Sequence, residues 1–300
     1  MSRERIKHQL WSILHEWVDS LGDKAMAEAV IDHCFIAGGA ISSLVRGEPV
    51  NDYDIYFTDV TVCQRVVDLM VNRWNETPGH AGRRIEHYKV RPLGEEPDRG
   101  NLRENVNPKD PITPDTPKYT PVCFTPNAIT LNNQIQLITR FIGEPDEIVK
   151  RFDFAHTQCY YRCFQDTLYL APQALESMAS HELIYTGSDY PLSSIIRTKK
   201  YIQRGWSINA GQYLKMALQL HALDFTKASV LADQLVGVDL AYFSDLLNTI
   251  RRLEKDKEGN FSLSFEGTDK APTNFYDPFY ADDEKSIGSH LLDTISRLWD

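Results

Sequence analysis

The segment Phe35–Phe57, FIAGGAISSLVRGEPVNDYDIYF, constrains the fold more than any other part of the chain. Its apolar start predicts a buried strand, Gly38-Gly39 predicts a turn into a short helix, and Asp52-x-Asp54 opens a second strand. Residues two apart in a strand point to the same face. The two carboxylates are therefore expected side by side, with Cα atoms roughly 6.5 Å apart.

This pattern predicts a particular chemistry. Carboxylates at the spacing of Asp52 and Asp54 can converge on Mg²⁺ or Mn²⁺, the ions that phosphoryl transfer requires. Gly38 and Gly39 lack Cβ atoms, so the backbone can approach a phosphate closely, and the helix that follows offers free N–H groups and a positive dipole end. A metal site that faces a phosphate cradle is the outline of a nucleotidyl-transfer site.

The same residues resemble the signature of the DNA polymerase β-like nucleotidyltransferase superfamily. The pattern is most similar to that of tRNA CCA-adding enzymes and bacterial poly(A) polymerases, and the positions in register are Gly38, Gly39, Gly47, Asp52 and Asp54. The resemblance implies an α+β fold with a mixed sheet and flanking helices, followed by a helical C-terminal half. It also implies Mg²⁺-dependent transfer of a nucleoside monophosphate from an NTP to a hydroxyl acceptor.

Two departures from the family pattern define further candidates. Ser42 and Ser43 occupy the family's Arg-Asp position, and their hydroxyls near a helix start can still donate to phosphate. The family's third carboxylate corresponds to Gln136, which brings no negative charge for a second metal ion. We expect Asp153 to replace it, because a strand over Phe152–His156 would turn Asp153 away from its aromatic neighbours. A hydrogen bond from Asp153 to a loop backbone is the alternative.

The order of elements predicts two parts. Residues 1–170 read as the nucleotidyltransferase-like domain, interrupted by a proline-rich loop at 92–121 that is either a lid over the site or a surface insertion. Residues 171–300 read as a helical domain. The predicted elements are helices within 4–32, 60–74 and 145–151, strands at 33–37, 52–57 and 86–90, hairpins over 127–140 and 159–170, and helices at 172–181, 192–204, 210–223, 226–236, 240–256 and 283–299.

One basic helix stands out in the second part. Arg197, Lys200 and Arg204 are three and four residues apart, so one helix face presents three cations, with Tyr201 and Trp206 close by. Cations and an aromatic ring suit a triphosphate and its base. A solvated basic face is the alternative. This run and the glycine–aspartate core also resemble uncharacterised nucleotidyltransferase-like proteins of bacteriophages and large viruses, over roughly residues 30–210.

Composition bounds the partners and the compartment. The chain of 300 residues carries 42 acidic and 32 basic side chains, a formal net charge of −10, which argues against strong binding to double-stranded DNA. No apolar run reaches the roughly 20 residues of a membrane span. Five cysteines without metal-type spacing predict reduced thiols and a cytoplasmic location, which is the host cytoplasm if the chain is phage-encoded.

Three functions remain open on this basis. The leading hypothesis is a Mg²⁺-dependent nucleotidyltransferase that uses an NTP and an RNA end, a protein or a small molecule as acceptor. The second is a catalytically inactive module that keeps the fold and binds a nucleotide. The third is a structural viral protein that has adopted the fold.

Overall fold

The computed structural model describes residues 2–77, 84–95 and 116–224, together with positions 230 and 234. The chain divides into two compact units, residues 1–189 with 201–215, and residues 190–200 with 216–300. The predicted division into 1–170 and 171–300 stays a prediction, because most of the second unit lies outside the described residues.

A mixed sheet of seven strands forms the centre of the first unit, with the order β3-β4-β5-β2-β1-β6-β7. β2 and β5 are parallel, and the other neighbouring strands are antiparallel. The α+β class with a mixed sheet and helices is thus confirmed. The strands are β1 Cys34–Ala37, β2 Tyr53–Phe57, β3 Pro121–Phe124, β4 Ala128–Leu131, β5 Ile135–Ile142, β6 Cys159–Arg162 and β7 Thr167–Leu170.

The described helices begin and end close to the positions that apolar periodicity predicts. α1 and α4 are amphipathic, and each begins at a polar cap, Ser2 and Asp59, whose side chain accepts from main-chain N–H groups of the first turn. The helices are α1 Arg3–Asp19, α2 Lys24–His33, α3 Gly39–Arg46, α4 Val60–Glu76, α5 Pro145–Val149, α6 Pro172–Ser180, α7 Pro191–Gln203 and α8 Ala210–His221.

Both faces of β2 are mostly buried. On β2, Tyr53, Ile55 and Phe57 are buried on one face. On the opposite face Tyr56 is also buried, in a cluster with Phe35, whereas Asp54 is half-buried. Both faces of the strand therefore pack against apolar side chains, and Asp54 is the position in β2 that keeps a carboxylate within reach of solvent. Asp52 lies just before β2, which begins one residue later than the sequence predicts.

Each of the two edge strands, β3 and β7, has a feature that reduces the number of main-chain groups available to a further strand. β3 begins with Pro121, which has no N–H to offer to a further strand. On the other border, the Arg3 guanidinium of α1 donates to the carbonyl of Leu168 in β7.

Two predicted strands are wrong. Residues 86–90 have no regular strand, although Gln64 of α4 holds them by accepting from Val90 N–H and donating to Tyr88 O. Residues 152–156 form a single bridge at Phe154 and then a 3₁₀ turn over Ala155–Thr157. In both places, residues distant in sequence occupy main-chain hydrogen-bonding groups that a regular ladder would need.

Several predictions concern residues outside the described ones. They are the greater part of the proline-rich loop and the helices at 226–236, 240–256 and 283–299. None of the helices in the described part of the chain has the length and hydropathy of a membrane span.

Candidate functional site

Gly38 follows β1 and caps the start of α3 with φ of +88° and ψ of −144°, a backbone conformation that residues other than glycine rarely adopt. A Cβ at this position would lie 3.8 Å from Asp54 Oδ2 and 3.7 Å from Phe152 Cε2. At Gly39 a Cβ would meet no atom within 4 Å. The glycine pair therefore lies beside a carboxylate and borders open space. Its role as a phosphate cradle stays a prediction.

Asp54 reaches this position through strand pairing. β1 and β2 are antiparallel with Ala37 opposite Asp54, so the end of β1 and the start of β2 meet where α3 begins. Asp52 is exposed just before β2. The structure thus places Gly38, Gly39 and Asp54 together, with Asp52 two residues away along the chain.

A row of residues in register crosses the sheet at the level of Asp54. On one side of Asp54, two polar side chains of the row are hydrogen-bonded, because Gln136 Nε2 donates to Thr130 Oγ1 at 3.2 Å. On the other side, the Tyr160 ring stacks on the Tyr169 ring at 5.1 Å. The row is Thr130, Gln136, Asp54, Ala37, Tyr160 and Tyr169.

The predicted third carboxylate, Asp153, is buried in the segment between α5 and the 3₁₀ turn. Its main-chain carbonyl accepts from Thr186 N–H at 2.9 Å. Across residues 2–77, 84–95 and 116–224, no group of three or more His, Cys, Asp or Glu side chains is arranged to hold a metal ion. The catalytic role of Asp153 stays a prediction.

Ser42 and Ser43 are buried within α3 rather than exposed at its start. Ser43 Oγ accepts a hydrogen bond from Arg204 Nη2 at 2.9 Å. The burial gives no support to a direct phosphate contact by either serine. The contact between Ser43 and Arg204 joins residues 161 apart in sequence, and no local pattern could have revealed it.

Arg204 belongs to a compact charged cluster at the C-terminal end of α3. Glu48 accepts from Arg46 Nε at 2.5 Å and from Arg204 Nη2 at 3.3 Å, so its carboxylate bridges two guanidinium groups. Arg46 also donates to the main-chain carbonyl of Met178 at 2.7 Å and lies 5.1 Å above the Trp206 ring.

A neutral histidine lies against this cluster. The His156 ring packs 4.3 Å from the Trp206 ring and 4.6 Å from the Tyr201 ring, and its Nδ1 has no hydrogen-bond partner among the described residues. Burial, with smaller contributions from Arg204, Arg46 and His181, lowers the pKa of His156 to about 3. His156 is therefore uncharged at neutral pH.

The other predicted cations, Arg197 and Lys200, lie in the part of α7 that belongs to the second unit, whereas Arg204 lies in the first. Their predicted role in nucleotide binding stays a prediction. Of the three, Arg204 is the one with a described contact to α3.

All five cysteines are thiols rather than disulfides, and all but Cys123 are buried. Burial raises the pKa of Cys159 to about 12 and that of Cys163 to about 11, and it raises the pKa of Cys34 as well. These thiols are protonated at neutral pH and are suited to packing rather than to catalysis.

The model of the Gabija anti-defense 2 protein family matches residues 9–181, which is more than half of the chain. The chain belongs to this family. The matched region contains β1, α3 and β2, with the glycine pair and both aspartates.

Individual relatives are more distant. The "Gabija anti-defense 2" protein of Bacillus phage SPbetaL7 is 22% identical over 277 residues, which are 92% of this chain and 57% of that protein. This chain thus spans little more than half the length of that relative.

Solved structures also show similarity. The Thermotoga maritima CCA-adding enzyme complexed with tRNA is 12% identical, with 81% of this chain and 56% of that chain covered and a TM-score of 0.38. The Bacillus stearothermophilus CCA-adding enzyme in complex with CTP is 12% identical, with 75% and 47% covered and a TM-score of 0.37. Scores at this level carry no conclusion about this chain.

Proposed function

We propose that this chain counteracts the Gabija defence as a Mg²⁺-dependent nucleotidyltransferase, which transfers a nucleoside monophosphate from an NTP to a hydroxyl acceptor. The observation that carries the proposal is the arrangement at Gly38. A backbone conformation reserved for glycine places the start of an eight-residue helix beside the Asp54 carboxylate, with open space at Gly39. Anionic ligands bind at helix starts of this kind through free N–H groups and the helix dipole.

The residues fit a divalent ion that arrives with its nucleotide. Mg²⁺ is commonly held by one or two carboxylates together with substrate phosphates and water, so Asp52 and Asp54 are sufficient ligands. When bound, the ion would supply charge neutralisation and polarisation of the α-phosphate. The glycine cradle also fits, because a Cβ at Gly38 would narrow the gap between Phe152 and the Asp54 carboxylate.

The chain's own residues bind and orient the nucleotide. The first N–H groups of α3 hold the phosphates, and Asp54, together with Asp52, would hold the divalent ion that accompanies the triphosphate. The acceptor oxygen forms a bond to the α-phosphorus, and the bond from that phosphorus to the bridging oxygen breaks. Pyrophosphate leaves, and the acceptor proton passes to solvent.

Family membership favours a protein of the host defence as the acceptor, in the host cytoplasm where NTP and Mg²⁺ are both available. The RNA end of the sequence-based hypothesis is less favoured, since a formal net charge of −10 opposes a polyanion.

The test measures pyrophosphate release from the four NTPs by the purified protein, with Mg²⁺ and an extract of cells that carry Gabija. We expect release that EDTA abolishes and that Asp54→Asn lowers at least about 100-fold, because the residue acts at the reacting phosphate. Asp19→Asn is the matched control, since Asp19 is an exposed carboxylate at the end of α1.

The same two variants, tested for protection of phage against Gabija, link the chemistry to the biological role. Loss of protection with Asp54→Asn and not with Asp19→Asn is expected. Full protection by Asp54→Asn would show that counter-defence does not depend on nucleotidyl transfer.

A second candidate function is nucleotide binding without turnover. It is favoured by Gln136, the neutral residue paired with Asp54 in the sheet. Calorimetry with a non-hydrolysable NTP distinguishes the two functions. Binding that needs Mg²⁺, in a protein that also releases pyrophosphate, favours the enzyme, whereas metal-independent binding without release favours the binding module.

A further inference from the structure

We infer that Arg204 is a positioning residue for the phosphate cradle and acts through α3 rather than on the nucleotide. The inference rests on the proposed function for its kinetic consequence. Its structural basis is separate from that function, because the contacts of Arg204 are made to protein groups.

Arg204 meets α3 at Ser43, the fifth of the helix's eight residues, through a hydrogen bond of 2.9 Å from Arg204 Nη2 to Ser43 Oγ. Cα–Cβ bonds in a helix tilt toward its N-terminus, so the Ser43 side chain leans toward the turn that begins at Gly39. Because α3 is short, a restraint at Ser43 also limits how far the start of the helix can move.

The guanidinium of Arg204 is held by Glu48 as well as by Ser43. The same Nη2 lies 3.3 Å from Glu48 Oε2, and Glu48 Oε1 accepts from Arg46, the last residue of α3. One carboxylate thus joins Arg204 to the C-terminal end of the helix, while Ser43 joins it to the middle of the helix. The three charged side chains are 20–29% exposed, so solvent screens them only in part.

The turn that carries Arg204 is itself held in place. Arg46 lies over the Trp206 ring, and Trp206 follows Arg204 by two residues. Trp206 N–H donates to Tyr201 O, and Arg204 N–H donates to the same carbonyl, so the turn that carries Arg204 is fixed by its own main chain. A guanidinium presented from a fixed turn can hold α3 in one orientation.

The charged and titratable groups near Arg204 are Glu48, Arg46 and the neutral His156, and the His181 ring lies 4.7 Å from the Trp206 ring. With His156 uncharged, two cations share one carboxylate. Protonation of His156 would add a third cation and would weaken the hold on α3.

The experiment compares Arg204→Gln and Glu48→Gln with wild type, with Arg204→Lys as the conservative variant. Arg151→Gln is the matched control, because Arg151 forms an exposed ion pair of 3.1 Å with Asp189 and has no described contact to α3. Hydrogen exchange of the α3 amides, thermal unfolding and pyrophosphate release with the NTP that wild type uses best are measured for each variant.

We expect Arg204→Gln to speed exchange in α3 at least about tenfold and to raise KM about tenfold, with kcat within about twofold of wild type, because the cradle holds the phosphates in the ground state and the transition state alike. Arg204→Lys should recover part of the KM, since it keeps the charge but not the fork. The double variant Arg204→Gln with Glu48→Gln should show no faster α3 exchange and no higher KM than the single variants, because the two residues act through one contact. The Tm of Arg204→Gln should stay close to that of Arg151→Gln.

Two outcomes would overturn the inference. Exchange in α3 that is the same in Arg204→Gln as in wild type would show that Arg204 does not hold the helix. A loss of kcat at unchanged KM would indicate instead that Arg204 acts at the reacting phosphate. If wild type shows no turnover of any NTP, the proposed function fails, and the exchange measurement still decides whether Arg204 positions α3.

Discussion

At the scale of single residues, two glycines that are adjacent in sequence have opposite requirements. Gly38 has a positive φ and close neighbours, whereas Gly39 is the first residue of α3 with open space around it. We expect Gly38→Ala to lower the free energy of unfolding by about 1–3 kcal/mol, because the backbone conformation is nearly restricted to glycine. Gly39→Ala should stay within about 1 kcal/mol of wild type. Urea denaturation measures both, and equal losses would contradict the geometry at Gly38.

The buried, neutral His156 makes the stability of the folded protein sensitive to acid. The folded pKa of about 3 lies below the ordinary value of 6.5, so between these limits the unfolded chain binds a proton that the folded chain does not. The contribution of neutral His156 to the free energy of unfolding is therefore complete above pH 6.5. It is lost as the pH falls toward 3, by up to about 1.4 kcal/mol per pH unit.

The matched variants for this prediction are His156→Phe and His15→Phe. We expect His156→Phe to flatten the fall in Tm between pH 6.5 and 4, since a ring that cannot titrate occupies the site. His15 is the control because its ring also contacts an aromatic, Trp11, at 4.0 Å. An unchanged acid profile in His156→Phe would contradict the assignment to His156.

The candidate site was predictable from sequence only where its parts are local. The spacing from Gly38 to Asp54 follows from one strand, one short helix and one strand, each with its own pattern. The bond from Arg204 to Ser43 depends on tertiary packing between residues 161 apart. The basic spacing at 197, 200 and 204 suggested a shared face for a ligand, and the contact of Arg204 with α3 was not visible in it.

At the scale of elements, the parallel pairing of β2 and β5 decides the character of the site. It places Gln136 directly beside Asp54, and both side chains are half-buried. We expect Gln136→Glu to lower the stability of the metal-free protein by about 0.2–1 kcal/mol, because like charges then face each other across neighbouring strands. Mg²⁺ should restore that loss.

Thermal unfolding with and without Mg²⁺ tests this prediction, with Gln165→Glu as the control in the exposed turn between β6 and β7. A Mg²⁺ response of Gln136→Glu no larger than that of Gln165→Glu would contradict the expected pairing of charges.

Element prediction succeeded where a segment's own pattern decides its structure. The hairpin of β4 and β5 follows from alternation and from its Asn132-Asn133 turn, in which Asn133 adopts φ of 64°. It failed at 152–156, where Ala155 N–H bonds to Ile184 O and Thr186 N–H bonds to Asp153 O. Aromatic alternation there reflects packing against the segment around Tyr185 rather than a place in the sheet.

At the scale of the whole molecule, the formal net charge of −10 sets which partners are favoured. We expect no retardation of a 30-base-pair DNA duplex at about 10 μM protein in physiological salt, because proteins that hold DNA do so mainly with cations against phosphate. A gel shift with a basic DNA-binding protein as positive control measures this. Binding that weakens steeply with added salt would reveal a local basic surface that outweighs the total charge.

The two borders of the sheet have a consequence for how other proteins can be recognised. A strand added beyond β3 would find no main-chain donor at Pro121, and one added beyond β7 would compete with the Arg3 guanidinium for the carbonyl of Leu168. Growth of the ladder by a foreign segment, or by a second copy of the chain, is thus disfavoured on either flank. Recognition through side chains of helices and loops would leave this main-chain framework undisturbed.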